Sequence, residues 1–309
     1  MEGATVDRRL IIRSISDFTV RAGVIGARAF DRDDVTALIV STIYSGNAAH
    51  LRFDEPAALA ALPGMRGGAA SLRPVSVNAV AASVGMAYET VRERIETLCH
   101  GGLCERETGG VRLSSSGLMN PAFVTMWRET HHRFMITLQQ IGALGLDIAA
   151  AFRLPATSPV NSPPLMLAAR VIIDFEVRLL GHLVPTFGSV MRGHIWSAVL
   201  AFNLEHLLSD RFRAWRHATI EQEADASRRP VSIRTIALHL EQPYETTRRH
   251  MRALADAGAI VEVPGRGFYV PRPPVPNPPL DKYNTEMIVS FAQLMSVLYG
   301  LGFRLPALP

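Results

Sequence analysis

The sequence predicts a mainly α-helical protein with two small β-hairpins, made by internal duplication of a helical segment plus a compact helix–turn–helix–hairpin unit. Three observations predict it. The stretch RPVSVNAVAASVGMAYETVRERIETLCHGGL, starting at Arg73, is answered by RPVSIRTIALHLEQPYETTRRHMRALADAGA, starting at Arg229. Residues 47–115 align without a gap to residues 203–271, with identical residues at Pro74/Pro230, Tyr88/Tyr244, Glu89/Glu245, Thr90/Thr246 and Arg92/Arg248. Outside that window DFTVR at Asp17 answers DFEVR at Asp174 after a one-residue slip, and FRLPA recurs from Phe152 at Phe303. Self-similarity on this scale marks a repeated domain and not one motif.

Each copy divides into three parts. In the first, residues 1–72 are N-terminal helices, 73–118 the repeated unit and 119–152 a closing helix; a linker spans 153–165. In the second, helices span 166–228, the repeated unit 229–275 and a closing helix 276–309. The linker segment LPATSPVNSPPL carries prolines and small polar residues, which favour extended chain over helix. DRDDVTALIVSTIYSGNAAHL opens with aspartates suited to a helix N-terminus and continues with apolar residues at helical spacing. GSVMRGHIWSAVLAFNLEHLL is its counterpart. The closing segments PAFVTMWRETHHRFMITLQQIGAL and NTEMIVSFAQLMSVLYGL are apolar helices expected to pack within the chain or across a homodimer.

Within the second repeated unit, SIRTIALHL places Ile233, Ile236, Ala237 and Leu240 on one face of a short helix. EQP turns the chain, and Pro243 falls where a missing N–H is tolerated, at the start of the next helix. Glu245 suits the first turn of that helix electrostatically, Met251 and Leu254 are its buried residues, and Gly258 stops it. AIVEVP, GRG and FYVP then read as strand, tight basic turn and returning strand. LCERE, TGG and VRLS repeat the pattern in the first copy.

This order, over roughly 45 residues in each copy, resembles the winged helix-turn-helix domain of bacterial transcriptional regulators of the broad MarR, GntR and IclR kind. The resemblance implies double-stranded DNA as partner, with the second helix in the major groove and the wing near backbone or minor groove. It places Tyr244, Glu245, Thr246, Arg248, Arg249 and Arg252 on or near one DNA-facing side, with Arg266 at the wing tip. The equivalents are Tyr88, Glu89, Thr90, Arg92 and Arg94, with Arg106 and Arg112 flanking the first wing. Arginine can read guanine and glutamate can accept from cytosine, while tyrosine and threonine hydroxyls suit phosphates. A solvated arginine, or a tyrosine packed on the first helix, is the competing reading of each position alone.

The copies differ in charge. PYETTRRHMR holds three arginines against one glutamate, whereas AYETVRERIE holds two arginines against three glutamates. Because phosphate contacts dominate affinity, the second unit is expected to grip DNA harder. Two readers on one chain act at an effective concentration set by the linker, and need not read a palindrome.

Other chemistry is weaker. The 309 residues, 48% hydrophobic and 19% charged, suit packed domains, and a net charge of +4 permits a polyanionic partner. LMLAARVIIDFEVRLLGHLV is interrupted by Arg170, Asp174, Glu176 and Arg178, so no membrane span is expected, and MEGATVDRRL lacks a signal core. Cys99 and Cys104 are expected to be small buried hydrophobes in a reducing, cytoplasmic and nucleoid-associated protein. His131 and His132 are adjacent and lack zinc spacing, and no nucleophile elbow or triad is present, so neither enzyme activity nor a metal or cofactor is expected. Asn47 with His50, and Asn203 with His206, could line an effector pocket or bond between helices; Asp17–Arg21 and Asp174–Arg178 are expected i,i+4 ion pairs. The competing functions are a replication initiator with paired winged helices and a protein-interaction scaffold for chromosome organisation.

Overall fold

The computed structural model describes residues 2–31, 33–154, 163–208, 214, 228–271 and 278–305. Most of the linker, the EQEADASRR stretch and most of the proline-rich stretch from 271 to 280 lie outside the described residues. The first half runs α1 (Glu2–Ala29), α2 (Asp34–Ala48), a short α3 (Pro56–Ala60), a 3-10 turn, α4 (Val77–Val84), α5 (Tyr88–His100), β1 (Cys104–Glu107), β2 (Gly110–Leu113), α6 (Ser115–Leu118), α7 (Pro121–Ala143) and α8 (Ile148–Ala151). The second runs α9 (Leu165–Gly181), α10 (Leu183–Phe187), α11 (Val190–Leu208), α12 (Ile233–His239), α13 (Tyr244–Asp256), β3 (Val261–Val263), β4 (Gly267–Tyr269) and α14 (Pro278–Gly300). The protein is therefore mainly helical with two small antiparallel sheets.

Helix ends follow local chemistry. Asp33 caps α2 by accepting from the Thr36 N–H at 3.0 Å, and Ser76 and Ser232 cap α4 and α12 in the same way. The one long helix α1 corresponds to two, α9 and α10. Pro185 explains the break: it has no N–H to bond the Gly181 carbonyl, and its ring crowds that oxygen.

The centre is formed by α1, α7, α9 and α14. The phenylalanines of DFTVR and DFEVR sit there in matching contacts: Phe18 meets Phe134 edge-on at 5.2 Å, and Phe175 meets Phe291 at 6.3 Å. Phe134 and Phe291 are themselves 6.4 Å apart. Much of the apolar surface of both closing helices is thus buried inside the chain.

The two outer cores do not follow the division at the linker. Leu167, Ala169 and Ile173 of α9 are buried in the core of the first helix–turn–helix unit, with Val40, Tyr44 and Ile95. Conversely Val20 and Val24 of α1 are buried with Ile195, Trp196 and Val199 in the core of the second unit. Each half lends its opening helix to the other, so the expected sequential domains are interlocked.

The hairpins correct the gapless alignment. β1 and β2 close through a two-residue turn, since Glu107 pairs with Gly110, whereas Val263 pairs with Gly267 across three residues. The second turn holds one extra residue, and Gly110 corresponds to Gly267, not to Arg266. Both glycines are required by close approach: a Cβ would fall 2.1 Å from the Val75 oxygen and 2.4 Å from that of Val231. Those carbonyls belong to a third, single-bridge strand in each unit, Val75 opposite Val111 and Val231 opposite Phe268.

The repeated asparagines lie at the next rung of that ladder. Asn47 donates to the Arg73 and Val111 carbonyls at 2.7 and 3.0 Å and accepts from the Leu113 N–H at 2.9 Å. Asn203 donates to Arg229 and Phe268 at 2.7 and 3.2 Å and accepts from Val270 at 2.8 Å. Both are fully buried. In each unit the side-chain amide stands in for a missing peptide rung and ties α2 or α11 to its hairpin. Among the described residues both asparagine side chains bond strand backbone and not a second helix, and His50 is exposed.

Candidate nucleic-acid interface

The helix pairs α4–α5 and α12–α13 present their second helices with one stripe inward and the rest outward. The inward stripe is Val91, Ile95 and Leu98 in α5, and Thr247, Met251 and Leu254 in α13. The turn before each second helix needs a left-handed residue: Gly85 (φ 63°) in the first unit and Glu241 (φ 54°) in the second. Glu241 is held there by an ion pair at 2.8 Å from Arg28 of α1. Each second helix is followed by a left-handed glycine, Gly102 and Gly258, and the next N–H reaches back to Leu98 and Leu254 respectively.

The outward face of α13 carries Tyr244, Glu245, Arg248 and Arg252, and that of α5 carries Tyr88, Glu89 and Arg92; Thr90 is also exposed. Tyr88 and Tyr244 are 45% and 48% exposed, so neither is spent on packing against the first helix. An i,i+3 ion pair recurs: Arg92 bonds Glu89 and Arg248 bonds Glu245, each at 2.8 Å. The repeated glutamate therefore restrains the repeated arginine along the helix. Arg252 pairs with Glu262 of β3, and its guanidinium lies 5.4 Å over the Phe268 ring.

Several expected contact residues point elsewhere. Arg94 turns back to pair with Asp33, and donates to the Thr36 hydroxyl at 3.1 Å, at the N-terminus of α2. The attraction is that of a cation for a capping carboxylate, and it removes Arg94 from the outer face. Arg112, with a side chain only 17% exposed, is held by Glu105 at 2.9 Å, Glu107 at 2.6 Å and the Ala69 carbonyl. Arg106 pairs with Glu96 at 2.6 Å. Thr246 and Arg249 border a cavity between the two units.

The electrostatic contrast expected between the two second helices extends to the hairpins. Arg92, Arg94, Arg106 and Arg112 are all in ion pairs. In the second unit Arg249 and Arg266, in the hairpin turn, enter no ion pair among the described residues, and Arg266 is exposed. His250 adds no charge at neutral pH, because burial, then Arg249 and Arg192, hold it below the ordinary imidazole range. Burial pushes the Cys104 thiol up to about 12, and Cys99 is half-buried. Asp17 pairs with Arg21 at 3.0 Å as expected. Asp174 instead accepts from Ser45 at 2.6 Å and lies 3.8 Å from Arg170, while Arg178 bonds Gln293.

The cavity is the feature that the sequence did not disclose. It measures about 540 Å³ and lies among α1, α2, α4, α5, α7, α9, α11 and α13. Its walls pair residues at corresponding positions of the halves: Thr19 with Glu176, Leu38 with His194, and Arg94 with His250. Thr19 and Glu176 fall within the matching pentapeptides and Arg94 within the repeated helix, but nothing in the sequence brought the three pairs to one wall. No family model, curated protein or solved structure matches the chain.

Proposed function

We propose that the protein is a sequence-specific, double-stranded DNA-binding transcriptional regulator carrying two winged helix-turn-helix modules produced by duplication of one domain. The reading rests on one observation above all: α13 offers Tyr244, Arg248 and Arg252 on an uncovered face next to a wing tip bearing Arg266. A helix so presented, followed by a short hairpin, suits major-groove insertion with a flanking backbone contact. The matching caps, left-handed turns and asparagine rungs of the other unit support a common origin.

The modules play unequal parts in this reading. The second holds the duplex: beside the ion-paired Arg248 and Arg252 it keeps two cations, Arg249 and Arg266, that enter no ion pair among the described residues. The first reads a weaker half-site, because every arginine placed on its helix or wing is already neutralised by a carboxylate. That neutralised surface is also the observation that favours protein contact for the first module, the scaffold alternative.

Fluorescence anisotropy with duplex fragments of the source genome, over a salt series, tests the reading. Affinity should fall steeply with salt. Arg248→Glu with Arg266→Glu should abolish binding, whereas Arg92→Glu should weaken it less. No duplex binding at low salt would leave the scaffold, and dominance of the Arg92 change would reverse the ranking of the modules.

A further inference from the structure

The cavity between the units contains an acid without a structural partner. Glu176 is 8% exposed and makes no hydrogen bond or ion pair among the described residues. At the corresponding position of α1, Thr19 satisfies itself by donating to the Ile15 carbonyl at 3.0 Å. Burial alone pushes the Glu176 carboxyl up to about 8, so it is largely protonated at neutral pH. The remaining titratable groups on the wall leave it unanswered. Asp33 and Arg94 pair with each other, burial depresses His194 to about 4, His250 is held below its ordinary range, and Arg249 is exposed. Much of the rest of the wall is apolar, including Val35, Leu38, Met126, Ile173 and Leu180.

We propose that this cavity is a binding site for an organic amine with an apolar body, its ammonium set against the Glu176 carboxyl and its body against α2, α7 and α9. An ammonium restores the charged form of a desolvated carboxyl and supplies the partner it lacks, whereas a carboxylate ligand would meet a second acid in a dry site. At neutral pH the Glu176 proton passes to solvent as the ion pair forms. The size of the cavity suits a small organic ligand. Thr246 and Arg249 of α13 and Arg94 of α5 border the same space, so the cavity opens onto both second helices. That consequence for regulation rests on the DNA-binding reading; the site itself does not.

Isothermal titration calorimetry on the full chain without DNA tests the site alone, so failure of DNA binding leaves the result unaffected. The probes are 2-phenylethylamine and n-hexylamine, with 2-phenylethanol and n-hexanol as neutral counterparts and phenylacetate as the anion. The amines should bind about tenfold or more tightly than the alcohols, and Glu176→Gln should remove that preference. Paired buffers of unlike ionisation enthalpy at pH 7 should show about one proton released per amine bound. Because the Gln variant replaces a buried acid by a neutral group of the same shape, its thermal unfolding should show a native fold. Amines binding no better than alcohols, phenylacetate binding best, or unchanged amine affinity in the folded Gln variant would each overturn the assignment.

Discussion

Asn203→Leu is the sharpest test of how the hairpin is fixed. Leucine has similar bulk, so the change removes hydrogen bonds without opening a large cavity. Three bonds go, but the Phe268 carbonyl keeps the Val231 N–H at 2.8 Å. The uncompensated groups are the Val270 N–H and the Arg229 carbonyl. An orphaned buried backbone group costs about 1–3 kcal/mol; Val270 is buried, whereas Arg229 is exposed and its carbonyl can turn to solvent, so the variant should lose about 1–3 kcal/mol. Urea unfolding followed by circular dichroism would read this as a lower midpoint at unchanged slope. Asn47→Leu should behave alike. The double variant should be additive within about 0.5 kcal/mol, because the two amides lie in different cores. Hydrogen exchange at the Val270 amide should accelerate selectively. A loss below about 1 kcal/mol, with Val270 still protected, would refute the idea that the amide replaces a ladder rung.

Gly267→Ala should destabilise by about 2–3 kcal/mol in thermal unfolding, since its Cβ meets the Val231 oxygen, as a strained backbone site does. Gly265→Ala, at φ 71° but with open space around it, should cost only about 1 kcal/mol. Glu176→Gln should stabilise the ligand-free protein at pH 7 by on the order of 3 kcal/mol, because the folded carboxyl, at about 8, stays protonated where the unfolded one, at 4.5, has ionised. That penalty grows as pH rises from 4.5 towards 8 and vanishes below 4.5, so the two proteins should converge in acid.

The repeated units were legible because their information is local. Pro243, Gly258 and the strand–turn–strand order of AIVEVP, GRG and FYVP act on their own neighbours, and they appear in the structure as read, although Val261 of β3 is exposed. Side-chain direction was less legible. Arg94 is one of several arginines in a helical heptad until Asp33, far away in the chain, claims it. The one-residue difference between hairpin turns was hidden because two glycines lie close in each turn, and only the Val75 and Val231 carbonyls reveal which pair corresponds. The cavity as a whole left no motif, since its groups come from eight helices brought together by packing. Even so, the substitution of Thr19 by Glu176 within an otherwise matching pentapeptide was visible in the sequence as an unexplained charge.

The crossed opening helices lead to a prediction about the halves. Residues 1–152 alone would keep α1 but lose α9, leaving the first core without Leu167, Ala169 and Ile173. The C-terminal end of α2 would lose Arg170, which donates to the Ala48 and Leu51 carbonyls at 2.8 Å each. Yet α1 carries the corresponding residues: Arg13 answers Arg170, Asp17 answers Asp174 and Phe18 answers Phe175. A second copy of the fragment can therefore place its α1 where α9 lies, and the exchange is reciprocal. We expect the fragment to be a homodimer by analytical ultracentrifugation, with unfolding that depends on concentration. Arg13→Met should weaken that dimer more than it weakens the full chain, where Arg170 still holds α2. A folded, stable monomer of residues 1–152 would mean that α1 can close on its own unit, and that crossed packing is not what joins the halves.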